Sequence, residues 1–207
     1  MSRQFIPPSR PDLETRVLVR ATAELELRAD GQADGDAGPK IIGYASIFDS
    51  LSEDLGGFRE IVKPGAFTRT LRENADVRAL VDHDPSKILG RSKAGTLRLS
   101  VNAKGLRYEI DPPDTTVGKD IMTSIRRGDV DGSSFSFRTV LDEWRMEGPV
   151  VIRELLDVDL VDVSPVTYPA YPAAEVALRS LEAFKKASAV LGGSALMRMR
   201  LRLAEVA

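Results

Sequence analysis

The chain has 207 residues, 29% of them charged, with a net charge of −2, no cysteine and one histidine. That length suits one sizeable core with tails, and the near-balanced charge excludes the basic surface of a nucleic-acid binder. The absence of cysteine excludes a disulfide framework, and a single histidine cannot assemble the usual zinc site. Residues 1–14 are polar and hold prolines, and 30–40 is rich in Gly, Asp and Ala, so both read as flexible or loop segments. Between them 16–27 alternates apolar and polar residues as a strand does, and it is expected to pair with 41–48. A short helical pattern follows over 64–73, opened by Pro64, and then a strand over 77–82 that delivers His83 at its end. Strands over 96–101 and 106–110 form a hairpin across Asn102-Ala103-Lys104-Gly105. Thr115 or Thr116 caps a helix to about Arg127 that Gly128 ends. Strands over 131–141, 150–156 and 158–166 and an amphipathic helix over 173–191 complete a β-rich domain.

No run approaches the roughly 18 to 20 apolar residues of a membrane span, and residues 1–20 hold no signal-type apolar core. The expectation is a soluble chain that makes no use of a membrane. GxxxxGK[ST], GxGxxG and the Asp-rich calcium loop are all missing, so neither a cofactor nor a metal is expected.

Chemistry concentrates on His83 and on Gly132-Ser133-Ser134-Phe135-Ser136-Phe137. Histidine is the side chain whose ordinary titration lies nearest neutral pH, so a serine nucleophile needing an imidazole base has one choice here. A strand's period of two puts Ser134 and Ser136 on one face and Phe135 and Phe137 on the other, with Ser133 on the phenylalanine side. Without further context, the same residues describe a half-buried strand with a hydroxylated face and a satisfied histidine.

Seven segments taken in order resemble the prohead (capsid maturation) proteases of tailed bacteriophages. They are Gly43-Tyr44-Ala45-Ser46-Ile47-Phe48, the run Glu60 to Phe67, Asp82-His83-Asp84, Ile88-Leu89-Gly90-Arg91 with Gly95 to Leu99, Gly105-Leu106-Arg107-Tyr108, the serine segment, and Leu160 to Ala170. The serine segment is similar to the family's Gly-x-Ser-Phe-Gly-Phe pattern, with Ser136 in place of a glycine. The resemblance implies a compact antiparallel, barrel-like β core with a few flanking helices, an α+β fold related to herpesvirus assembly proteases. It aligns His83 with the base and Ser134 with the nucleophile. The herpesvirus triad uses a second histidine, which this chain lacks, so a carboxylate has to orient His83. Asp162 is that residue by alignment; Asp157 and Asp159, which simple alternation puts on the opposite face, and Glu154 are the alternatives. Arg91 and Arg138 are candidates for placing positive charge near the oxyanion.

The resemblance implies a serine endopeptidase acting on scaffold and major capsid protein, and on itself, inside the assembling procapsid in the host cytoplasm. A non-enzymatic assembly module of the same fold is the alternative, and self-association is a possibility in either case. The domain is expected over 15–186, with a C-terminal tail over 187–207. In that tail Met197, Met199, Leu201 and Leu203 alternate with Arg198, Arg200 and Arg202, which suits docking as an extended strand.

Overall fold

The computed structural model describes residues 13–18, 26–28, 38–168, 181–182, 184–186 and 199–202. In chain order the elements are β1 (Glu14–Leu18), β2 (Glu26–Arg28), β3 (Lys40–Ile47), β4 (Arg59–Val62), α1 (Thr68–Arg72), β5 (Arg78–Val81) and β6 (Asp84–Arg91). A 3₁₀ turn (Ser92–Ala94), β7 (Leu97–Val101), β8 (Gly105–Ile110), α2 (Thr116–Arg127), β9 (Gly132–Glu147), β10 (Val150–Val166) and β11 (Met199–Arg202) follow. One sheet runs β1-β9-β10-β5-β6, with β11 on β9 and β4 on β10; the other runs β2-β3-β8-β7. The fold is the β-rich α+β architecture that the sequence implies, antiparallel throughout except where β4 and β5 pair parallel to β10.

Local signals explain the elements that were legible. The hairpin of β7 and β8 turns through Asn102, whose side chain accepts from the backbone N–H of Lys104 at 2.9 Å and of Gly105 at 3.1 Å. Helix α2 starts where Thr115 accepts from Gly118 N at 3.3 Å and ends at Gly128, whose φ of 78° is left-handed. Its Ile121 and Ile125 are buried against the sheets.

The stretch 16–27 behaves differently from its alternation. Its C-terminal part, β2, pairs with β3 as expected, but β1 joins the other sheet beside β9. Charge decides this: Glu14 and Arg16 of β1 find their partners on β4, β9 and β10. Glu14 therefore begins a strand, buried, at the end of the segment expected to be flexible. β9 runs on to Glu147, past its expected end at 141, and the two strands expected over 150–156 and 158–166 form one strand, β10; Gly148-Pro149, with Gly148 at φ 58°, joins β9 to β10. Register shifts near Asp157 and between Leu160 and Asp162 break the period of two that strand prediction relies on. The expected helix over 173–191 lies mostly outside the described residues. Leu181 and Phe184 within it pack on Trp144, Phe58, Leu55 and Val151.

Beneath β1 lies a fully buried charge cluster. Arg153 bonds Glu14 at 2.6 and 3.1 Å, Asp142 at 2.6 Å and Glu60 at 3.2 Å, and Arg16 bonds Glu60 at 2.6 and 2.9 Å and Glu14 at 2.8 Å. Burial pushes the Glu14 carboxyl up, but Arg153 and Arg16 outweigh it and hold the group at about 2. For Asp142 burial wins and the shift is upward, in keeping with one carboxylate oxygen that has no hydrogen-bond partner. The two carboxylates therefore carry opposite signs in stability. Glu14's contribution is fully present above its ordinary value of 4.5 and is lost as pH falls from there through about 2. Glu14→Gln is expected to cost roughly 3 kcal/mol at pH 7 and much less at pH 3, whereas Asp142→Asn, which removes a carboxylate that burial disfavours, should cost less than Glu14→Gln at pH 7. Urea titrations at the two pH values check both; an equal cost at pH 7 would contradict this assignment.

Candidate active site

His83 is presented by a tight turn. Val81 and Asp84 pair across it, and Asp82 and His83 take φ of 50° and 58°, the left-handed pair that a two-residue type I′ hairpin demands. Neither residue is glycine, so the turn carries strain of about 1 to 3 kcal/mol per residue. Specific bonds offset it. Asp82 N donates to Pro165 O at 3.1 Å, and the Asp82 carboxylate accepts from Thr167 N at 2.8 Å and Thr167 Oγ1 at 3.1 Å. His83 N donates to Ser164 Oγ at 3.3 Å. The imidazole is thereby tied to the end of β10.

The serine strand is held from its other face. Phe135 and Phe137 are buried with ring centroids 5.1 Å apart, and Phe67 meets Phe135 edge-on at 5.6 Å. Burying a phenylalanine stabilises by roughly 1.5 to 3 kcal/mol, enough to pin the register of β9. Ser133 also lies on that side, bonded to the Tyr108 hydroxyl at 2.6 Å, where burial pushes the phenol above its ordinary range. Tyr108 fits there because position 43 is glycine: a Cβ on Gly43 would stand 2.5 Å from the Tyr108 oxygen.

On the opposite face, β9 and β10 bring Ser134 beside Ser164 and Ser136 beside Asp162. His83 sits between them. Its Nδ1 is 2.5 Å from Asp162 Oδ1, and its Nε2 is 2.5 Å from Ser134 Oγ. An ionised carboxylate only accepts, so the proton belongs on Nδ1 and Nε2 offers its lone pair to the serine hydroxyl. The structure thus brings His83, Ser134 and Asp162 together in series. Ser134 Oγ also lies within donating distance of Arg16 O on β1, at 2.8 Å, and the residue is 0% exposed.

The alternatives to Asp162 are engaged elsewhere. Asp157 and Asp159 hold Arg69 at 2.9 and 2.6 Å, and Glu154 holds Arg145 at 3.1 Å. Asp159 nonetheless shares a face with Asp162, against simple alternation. The register shift at Leu160/Asp162 sets Asp159 opposite Arg138 and Asp162 opposite Ser136, which lie on one side of β9. Arg91 is committed to Asp76 through two bonds of 2.7 Å, while half-buried Arg138 stays on the Ser134 side of its strand. Sequence reasoning missed two neighbours of the ring. Ser136 Oγ is 3.0 Å and Ser164 Oγ 3.3 Å from Nδ1, and Ser164 also donates to Asp162 at 3.3 Å. The signal for Ser164 was its place two residues beyond Asp162, on the same face of the strand.

A serine, an imidazole and a carboxylate in series, on a β-rich frame, form the constellation that serine hydrolases use. The chain belongs to the caudovirus prohead serine protease family, whose model matches residues 23–187. Among solved structures, the capsid assembly protease gp21 of bacteriophage T4 shares the fold with a TM-score of 0.50 at 12% identity, over 75% of this chain and 99% of that one. No curated protein matches the sequence.

Proposed function

We propose that this chain is a serine endopeptidase of the Ser-His-Asp type, with Ser134 as nucleophile, His83 as general base and acid, and Asp162 as the residue that orients the imidazole. The observation that carries the reading is His83 with one ring nitrogen on each partner at 2.5 Å. Ser134 Oγ attacks a peptide carbonyl while Nε2 takes its proton, and Asp162 stabilises the imidazolium that forms. Nε2 then returns the proton to the leaving amine, and an acyl-enzyme remains on Ser134. Water, deprotonated by the same nitrogen, releases the acid product and restores the serine. Arg138, on the Ser134 side of β9, supplies positive charge to this face.

The substrates in this reading are scaffold and major capsid protein segments, together with the chain itself, cut within the assembling procapsid in the host cytoplasm. Membership of a prohead protease family supports it. The test is to incubate the wild type and Ser134→Ala with the cognate capsid protein and to map fragments by mass spectrometry. Discrete new termini with the wild type alone are the expected result. Identical fragment maps from the two proteins would remove Ser134 from the chemistry.

A further inference from the structure

In this structure Ser134 is not open to a substrate. It is 0% exposed, and β1 runs antiparallel along β9 in register with it, Val17 opposite Ser134 and Leu18 opposite Ser133. The hydroxyl has one proton and two acceptors, His83 Nε2 and Arg16 O. A proton donated to Arg16 O is not delivered to the base. Thr15 Oγ1 lies 3.0 Å from Ser136 Oγ, so β1 also touches the ring's other neighbour. β1 stands at the end of its sheet, with β9 as its strand partner, and it precedes the residues that the family model matches.

The same edge of β9 takes a second extended segment. β11 pairs antiparallel with Trp144 to Leu141, as β1 does with Phe137 to Ser133. Two separate stretches of the chain thus lie along one strand edge in one direction. This edge accepts extended peptide by backbone pairing, which suits a protease that needs its substrate extended. β1 is anchored as well as paired. Arg16 and Glu14 reach into the buried cluster of Glu60, Arg153 and Thr139, so side chains as well as the ladder hold it.

We propose that β1 is a removable strand that fills the substrate slot on β9 and keeps Ser134 latent, and that an incoming extended peptide pairs with β9 in its place. This rests on Ser134 being the nucleophile. The test is a lock. The chain has no cysteine, so Leu18→Cys with Ser133→Cys creates one possible bridge, between Cα partners at disulfide spacing. A fluorophosphonate should label Ser134 at least about 100-fold more slowly in the oxidised form than after reduction, because the bridge removes the open population. Equal labelling in both forms overturns the latch and leaves the Ser134 reading standing. No labelling of the reduced form or of the wild type, although the amides of 14–18 exchange through local opening, removes the Ser134 reading itself. Hydrogen exchange on the wild type decides independently of any variant. Amides of 14–18 should exchange through a local opening, well before those of the β10 and β5 centre; exchange of both only through global unfolding overturns the proposal.

Discussion

Ser134→Ala and His83→Ala are each expected to reduce peptide cleavage by about 10⁶-fold while leaving a folded protein. Neither side chain supports the core. The phenylalanines on the far face of β9 hold the strand, and His83 reaches its place through backbone bonds of the Asp82-His83 turn. Ser134→Ala removes one hydroxyl bonded to Arg16 O, a loss of about 1 kcal/mol in stability. Because nucleophile and base act as a unit, the double variant should be hardly slower than either single one. Steady-state rates on a capsid-derived peptide, with thermal melts alongside, check all three. A single variant that cleaves at near wild-type rate, or a double variant whose losses multiply, would contradict this division of roles.

Asp162→Asn should lower kcat by about 10⁴-fold with KM little changed. The geometry supplies the reason. Asp162 accepts from Nδ1 at 2.5 Å, whereas an asparagine can turn its amide toward the ring and donate. The proton then sits on Nε2, the nitrogen that faces Ser134, and the serine hydroxyl finds no acceptor there. Asp157→Asn and Asp159→Asn are the controls, since both carboxylates serve Arg69, and they should alter the rate by less than about 10-fold. A larger loss from either control than from Asp162→Asn would reassign the orienting residue. The comparison separates orientation from packing, because a change that merely loosened β10 would move stability and KM together.

The sequence by itself determined the parts of this protein that local chemistry decides. One histidine in the whole chain left one candidate base, and the period of two in Gly132 to Phe137 separated Ser134 from Ser133. A capping threonine and a closing glycine bounded α2, and an asparagine turn made the β7/β8 hairpin. The ordered resemblance led to the family and to Asp162. Tertiary structure decided whatever depends on partners distant in the chain. β1 left its expected neighbour because the charges that satisfy Glu14 and Arg16 lie more than 40 residues away, on β4 and β10. The bulges of β10 put Asp159 and Asp162 on one face, and alternation cannot register an inserted residue. The left-handed Asp82-His83 turn is strained on its own and is held by the end of β10 and by Thr167 just after it, and the burial of Ser134 under a strand from outside the matched family segment follows from sheet order. Local periodicity reports which face a side chain takes; which strand then covers that face depends on long-range charge pairing and sheet registry, and these exist only once the chain has folded.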